Sequence, residues 1–133
     1  MKTKGTSLIF VNDRQEVLLI LRDDDPGIAY PNMWDLPGGH VEEGETPLGC
    51  IQREMKEEMG LEIEGIAPFS VVPFDDRTEY VFWTKMNLSV LSIRLTEGQR
   101  LRWFSRDEVE RTPLAFGFNR ILSAFFDDSS RSD

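Results

Sequence analysis

Three glutamates, Glu54, Glu57 and Glu58, sit within five positions of one another in the stretch REMKEEMGL. Acids this close repel one another, and same-face acids at helical spacing destabilise a helix. A chain tolerates the arrangement when the acids are harmlessly solvated or when a cation sits among them. On a wheel of about 100° per residue with Arg53 at zero, Leu48, Ile51, Met55 and Met59 fall between roughly 160° and 240°. Glu57, Glu54 and Glu58 fall at about 40°, 100° and 140° on the same wheel. The acids therefore form a stripe along the border of the apolar face, and Arg53 lies at its edge. There the dielectric is lower than in water and repulsion is stronger. Three carboxylates in such a place make a hard-oxygen site of the kind that Mg²⁺ or Mn²⁺ prefers. A solvated charged stripe is the competing reading, and the helix geometry alone does not separate the two. The Gly38-Gly39 turn upstream favours the cation, because bare backbone can come close to a ligand there.

The elements that must position these acids are legible around them. Thr46 suits an N-cap, Pro47 the first helical position and Gly60 the C-terminal stop, which predicts a helix over Pro47 to Met59. Before it, Ser7 to Val11 and Glu16 to Leu21 read as a hairpin across Asn12-Asp13-Arg14-Gln15. The long segment DDDPGIAYPNMWDLPGG follows, a length usually reserved for functional or mobile loops. Further strands are predicted near Ile63 to Val72, Tyr80 to Met86, Leu88 to Ile93 and Leu101 to Phe104. Ser105 to Glu108 has capping-box form and opens a short helix. A last, well-buried helix runs roughly from Asn119 to Phe126. Mixed strands and helices with an early hairpin indicate an α/β sandwich around a mixed sheet.

The chain of 133 residues suits one domain, read here as residues 1–127, with a frayed polar tail over 128–133. It carries 24 acids against 15 bases, a formal net charge of −9. That balance argues against a nucleic-acid polymer as partner, since such binding relies on Lys and Arg against phosphates. A small phosphorylated ligand remains open, with metal cations as go-betweens. Cys50 is the only cysteine, so no internal disulfide forms. The N-terminal apolar run, Leu8 to Val11, is too short for a signal-peptide core or a membrane span, and a cytoplasmic location is expected.

The acidic segment also resembles the Nudix box. Gly39, Glu45, Arg53, Glu54, Met55, Glu57, Glu58, Gly60 and Leu61 fill every defined position of that pattern. A hairpin before it, WDLPGG leading into it and TEGQRLRWFSRDEV after it resemble the family too. The resemblance implies a Nudix-type α/β/α sandwich and hydrolysis of a pyrophosphate linkage in a nucleotide with divalent metal. It implies that Glu54, Glu57 and Glu58 hold metal with the Gly39 carbonyl, while Arg53 and Glu45 orient them from behind. Glu97, in a Glu-Gly-Gln setting like that of MutT-type members, is implied as a further ligand or base; an exposed loop acid is its other reading. Arg22 stands where the family often places a phosphate contact, although a surface arginine beside Asp23, Asp24 and Asp25 fits equally. Phe74, Phe116 and Phe118 are candidates to stack on a base, against the commoner fate of core packing. Asn119 matches the place of a base-reading Asn in some MutT-type proteins, but reads first as an N-cap.

By this resemblance the substrate is a nucleoside triphosphate or an oxidised relative. A nucleoside diphosphate sugar is the alternative, and a non-catalytic binding module is disfavoured because all three box glutamates are present. A homodimer is compatible with the resemblance. The first strand begins within about ten residues, so no added N-terminal region of the kind that closes over a sugar is expected.

Overall fold

The computed structural model describes residues 3–128. Its sheet is built outward from a central parallel pair. Strand β1 (Thr3–Val11) runs parallel to β6 (Arg77–Lys85), in register from Thr3 opposite Arg77 to Val11 opposite Lys85. The hairpin partner β2 (Val17–Leu21) meets β1 at Val11 and Val17, then diverges to pair with β7 (Arg100–Phe104) and the short β3 (Trp34–Asp35). That divergence opens a gap beside the first half of β1. Strand β4 (Gly38–His40) fills it, antiparallel to β1. Strand β5 (Ala67–Pro73) closes the far edge beside β6. The sheet is mixed, as expected.

Period-2 alternation sorts the core into two layers. Leu8, Phe10 and Leu18 face helix α1 (Pro47–Met59) and pack on Ile51, Met55 and Met59. Ile9, Val11, Val17 and Leu19 face the other way, onto Phe118, Leu122 and Phe125 around helix α3 (Asn119–Asp127). Both sheet faces are thus covered, which is why β1 and β2 read as continuous apolar runs.

The caps of α1 follow the sequence signals. Thr46 Oγ1 accepts from Gly49 N at 3.0 Å, Pro47 stands in the first turn, and Gly60 ends the helix at φ 67°. Helix α2 (Arg106–Glu110) has the capping box between Ser105 and Glu108.

Four expectations are corrected. Residues Leu88 to Ile93 form no strand; a 3-10 turn covers Val90–Ser92. Ser92 N and Oγ both bond Ser89 O, and Trp103 Nε1 captures the Leu88 carbonyl, so local bonds displace a ladder. Strand β5 starts at Ala67 rather than Ile63, after a left-handed Gly65, while Ile63 turns down under α1. Leu48, placed on the buried stripe by the wheel, is 42% exposed and belongs to neither core layer. Phe118, not Asn119, precedes α3 as its cap residue. The Asn119 amide instead bonds Leu114 N, Val109 O and Thr112 O at 3.0, 3.0 and 2.7 Å, fastening the loop ahead of the helix. Most of the tail, 129–133, lies outside the described residues.

Candidate active site

The acid stripe of α1 lies against the glycine turn of β4. A Cβ at Gly39 would overlap the Glu54 carboxyl, and one at Gly38 would overlap the Thr6 carbonyl oxygen. Only glycine lets β4 pass between β1 and the helix at this distance. Gly39 O accepts from Thr6 Oγ1 at 3.0 Å, so that carbonyl is turned toward β1. The glycine that shares a cleft wall with Glu58 and Glu97 is Gly38. Gly38 lines that cleft, and both glycines line the neighbouring one.

The three box acids occupy three different environments. Glu57 is exposed, with 60% of its side-chain surface open. Glu54 is part-buried, and burial raises its pKa against the lowering effect of Arg53. Glu58 is 9% exposed, and its Oε2 has no hydrogen-bond partner among the described residues. Burial, then the neighbouring charges of Glu54, Glu97, Asp35 and Glu57, push its pKa up to about 8. An isolated buried carboxylate is costly, and the cost is relieved by a proton or by a metal ion.

Arg53 is the hub of this surface. Its Nε and Nη2 take Glu45 in a two-pronged pair at 2.6 and 3.0 Å, and its Nη1 reaches Glu54 at 2.9 Å and Glu57 at 3.1 Å. Arg53 Nη2 also donates to His40 O at 3.2 Å. The same guanidinium holds Glu45 well below the usual carboxylate range, at about 2, with help from Glu42 N. Among the described residues no three acids are already converged as a metal-coordinating group. Glu54 and Glu57 are both held by Arg53, Glu54 part-buried and Glu57 at the exposed end.

Glu97 is brought to the site by its loop. Thr96 N donates to Glu58 O and Thr96 Oγ1 to Glu57 O, which ties the loop to the end of α1. Gln99 Nε2 donates to Arg22 O at 2.8 Å and to Asn32 Oδ1 at 2.9 Å. Glu97 then shares a cleft of about 370 Å³ with Glu58, Gly38, Arg22 and Asp35. Arg22 is not a loose surface arginine: Nη1 pairs with Asp35 at 3.0 Å and Nε donates to Ala29 O at 2.8 Å. Asp35 is 7% exposed, and burial raises its pKa to about 6 in spite of Arg22.

A second cleft, of about 300 Å³, shares Arg22, Asp35 and Gly38 with the first. Phe116 and Phe118 line it. Phe74 stands behind, under Arg77, 6.1 Å from Phe118. Asn119 lines neither cleft; it faces a separate groove between α2 and α3 with its amide already engaged. Sequence reasoning missed Asp35, Arg77 and Glu79. In β6, Arg77 and Glu79 continue the period-2 row of buried Val81, so in the structure two charges stand in a buried row. Cys50 is buried, and its thiol is pushed up to about 11, mainly by that burial.

Comparison with known proteins identifies the family. A model of the NUDIX domain matches residues 1–125. A Bacillus subtilis (strain 168) protein named "Putative 8-oxo-dGTP diphosphatase" is 32% identical over 108 residues, covering 79% of this chain and 68% of the relative. The human "8-oxo-dGDP phosphatase NUDT18" is 30% identical over 113 residues, 80% of this chain; that match spans 33% of the relative's length. The crystal structure of a MutT NUDIX hydrolase from Burkholderia pseudomallei superposes with TM-score 0.75 at 26% identity, over 91% of this chain and 95% of that one. No helix among the described residues is long and apolar enough to cross a membrane.

Proposed function

This chain belongs to the NUDIX domain family, and from that premise we propose that it hydrolyses a nucleoside triphosphate, or an oxidised one, to nucleoside monophosphate and pyrophosphate with Mg²⁺ as cofactor. At the coarser level it is a Nudix-type pyrophosphohydrolase, and members of the family generally use divalent metal ions. The observation that carries the metal reading is Glu58, a buried carboxylate with an unpartnered oxygen, flanked by Glu54 and Glu97. An all-oxygen donor set of this kind fits Mg²⁺, with Mn²⁺ able to substitute. Glu54, Glu57, Glu58, Glu97 and the backbone of the glycine turn would hold it. When bound, the ion offsets the charge of the pyrophosphate and acidifies a water for in-line attack on phosphorus.

The chain's own groups have separable tasks. Arg53, locked by Glu45, holds Glu54 and Glu57 together on one face of α1 and stops them from springing apart. Thr96 and Gln99 fix the Glu97 loop against the same helix and against Arg22. Arg22 lines both clefts and would touch a phosphate while Asp35 restrains it. The names of the two relatives make oxidised guanine nucleotides the first substrates to test. A panel of triphosphates, oxidised purine nucleotides and nucleotide sugars with Mg²⁺, with every product identified, decides the matter. Release of monophosphate and pyrophosphate from a triphosphate is expected. A higher kcat/KM for any nucleotide sugar than for all triphosphates would overturn the substrate reading.

A further inference from the structure

The loop that carries Glu97 is strung between two anchors, and the second of them reaches past Arg22. Thr96 holds the start of the loop to the end of α1. At its other end Gln99 N donates to Leu21 O at 2.8 Å, and Gln99 Nε2 donates to Arg22 O at 2.8 Å and to Asn32 Oδ1 at 2.9 Å. Both hydrogens of that amide are thereby used. Gly98 N adds a 3.4 Å contact to Asp23 Oδ2. Gly98 stands at φ 83°, and a Cβ there would overlap the Ile20 side chain, so the loop seats directly on the end of β2. Asn32 is held at φ 56°, a left-handed conformation that Asn tolerates better than most residues.

Arg22 and Asn32 stand at the two ends of another loop. Beyond β2 and β3 the antiparallel pairing continues, through Arg22 N to Met33 O at 2.9 Å and Asn32 N to Asp23 O at 3.0 Å. The tip then folds back. Arg22 Nε donates to Ala29 O, Ile28 lines the cleft of Glu58 and Glu97, and Ala29 lines the neighbouring one. The Arg22 guanidinium is thus held by its own loop, and Gln99 closes the root of that loop. Gln99 and Asn32 are both exposed, so water could satisfy the same groups and the bonds contribute little to stability. What they fix is the spacing of two loops, one carrying Glu97 and the other Arg22.

We propose that Gln99 and Asn32 are positioning residues: their clasp joins the Glu97 loop and the Arg22 loop into one unit and sets the acid and the guanidinium at the mutual distance that hydrolysis needs. This rests on reading Glu97 as a metal ligand or base and Arg22 as a phosphate contact. Neither clasp residue has to touch the substrate; each acts through its neighbour. Catalysis of phosphoryl transfer is almost entirely positioning and charge stabilisation. A drift of one loop against the other therefore costs rate more than it costs binding.

The test begins without ligand. Amide hydrogen exchange is compared in wild type and Q99M, which keeps the length of the side chain and removes both donors. Exchange at Asn32, whose N–H bonds Asp23 O, is expected to quicken about tenfold, while Leu122, bonded to Phe118 O in the other core layer, keeps its wild-type rate. Equal acceleration at both, or none at Asn32, would overturn the clasp. Turnover is then measured with Mg²⁺ on the best triphosphate of the panel. Q99M is expected to lose about tenfold in kcat, with KM within about threefold of wild type. N32G suits the left-handed backbone and removes one of the two acceptors, so a loss of about threefold is expected. Combined with Q99M it should cost nothing further, because both act through one contact; additive losses would refute the clasp. N32D keeps an acceptor and tolerates the same backbone, so it should stay within about twofold of wild type. A purely structural bond would lower Tm and leave kcat unmoved. Wild-type turnover with an unaffected Q99M sinks this proposal alone. No wild-type turnover on any nucleotide sinks the pyrophosphohydrolase reading and the positioning role with it.

Discussion

Replacing Glu58 by Gln should make the metal-free protein more stable and deaf to Mg²⁺. In the fold, burial pushes the Glu58 carboxyl up to about 8, from an ordinary glutamate value of 4.5. Between those values the folded state binds the proton more tightly than the unfolded state, so stability falls as pH rises through the window and levels off above about 8. Each pKa unit corresponds to about 1.4 kcal/mol, so at neutral pH the ionisable carboxyl costs up to about 3 kcal/mol relative to a neutral group. The Gln amide must itself be buried and takes back part of this, leaving an expected gain of about 1–2 kcal/mol. In a chain of this size that is a rise in Tm of roughly 3–8 °C. Thermal unfolding in EDTA from about pH 5 to about pH 8 measures it: wild type should lose stability across the range, and E58Q should lose distinctly less. Saturating Mg²⁺ should raise the wild-type Tm by binding only the folded state, and E58Q should respond weakly. Identical pH slopes in the two proteins, or equal Mg²⁺ shifts, would refute both the burial argument and the metal assignment.

Three further outcomes follow from other contacts. E57Q should lose about 10²–10³-fold in kcat while keeping the wild-type Tm, because the residue is exposed and its loss removes a metal ligand rather than a packing contact; undiminished turnover in EDTA or in the variant counts against it. E97Q should lower kcat and leave KM nearly unchanged, as befits a group that acts chiefly in the transition state, and a variant with wild-type turnover would make Glu97 a bystander. N119A should destabilise by about 2–3 kcal/mol in denaturant titrations without altering KM, because it strands Leu114 N, Val109 O and Thr112 O; a changed KM would restore the base-reading role.

What could be read from the chain and what could not divides along a physical line. Helix α1 was legible to the residue because its signals are local: Thr46, Pro47 and Gly60 act on their own turns, and the wheel put the acids beside Met55 and Ile51 with no knowledge of the sheet. The same local reasoning misjudged Leu48, because a helical wheel shows which face a residue is on and not whether a partner covers it. It also misjudged Leu88 to Ile93, where apolar content suggested a ladder that the Ser89 and Trp103 hydrogen bonds forestall. The candidate metal acids were legible because they lie on one helix. The second cleft was not, because it is assembled from β1, β4, β6 and the loop before α3, across as many as 111 positions between Gly5 and Phe116. Arg77 and Glu79 illustrate the point. In sequence they are two charges on an alternating strand, which usually marks a solvated face. Only the parallel pairing that sets Gly5 against Glu79 turns that face inward, and only then do a buried guanidinium and a buried carboxylate become a feature that demands an explanation.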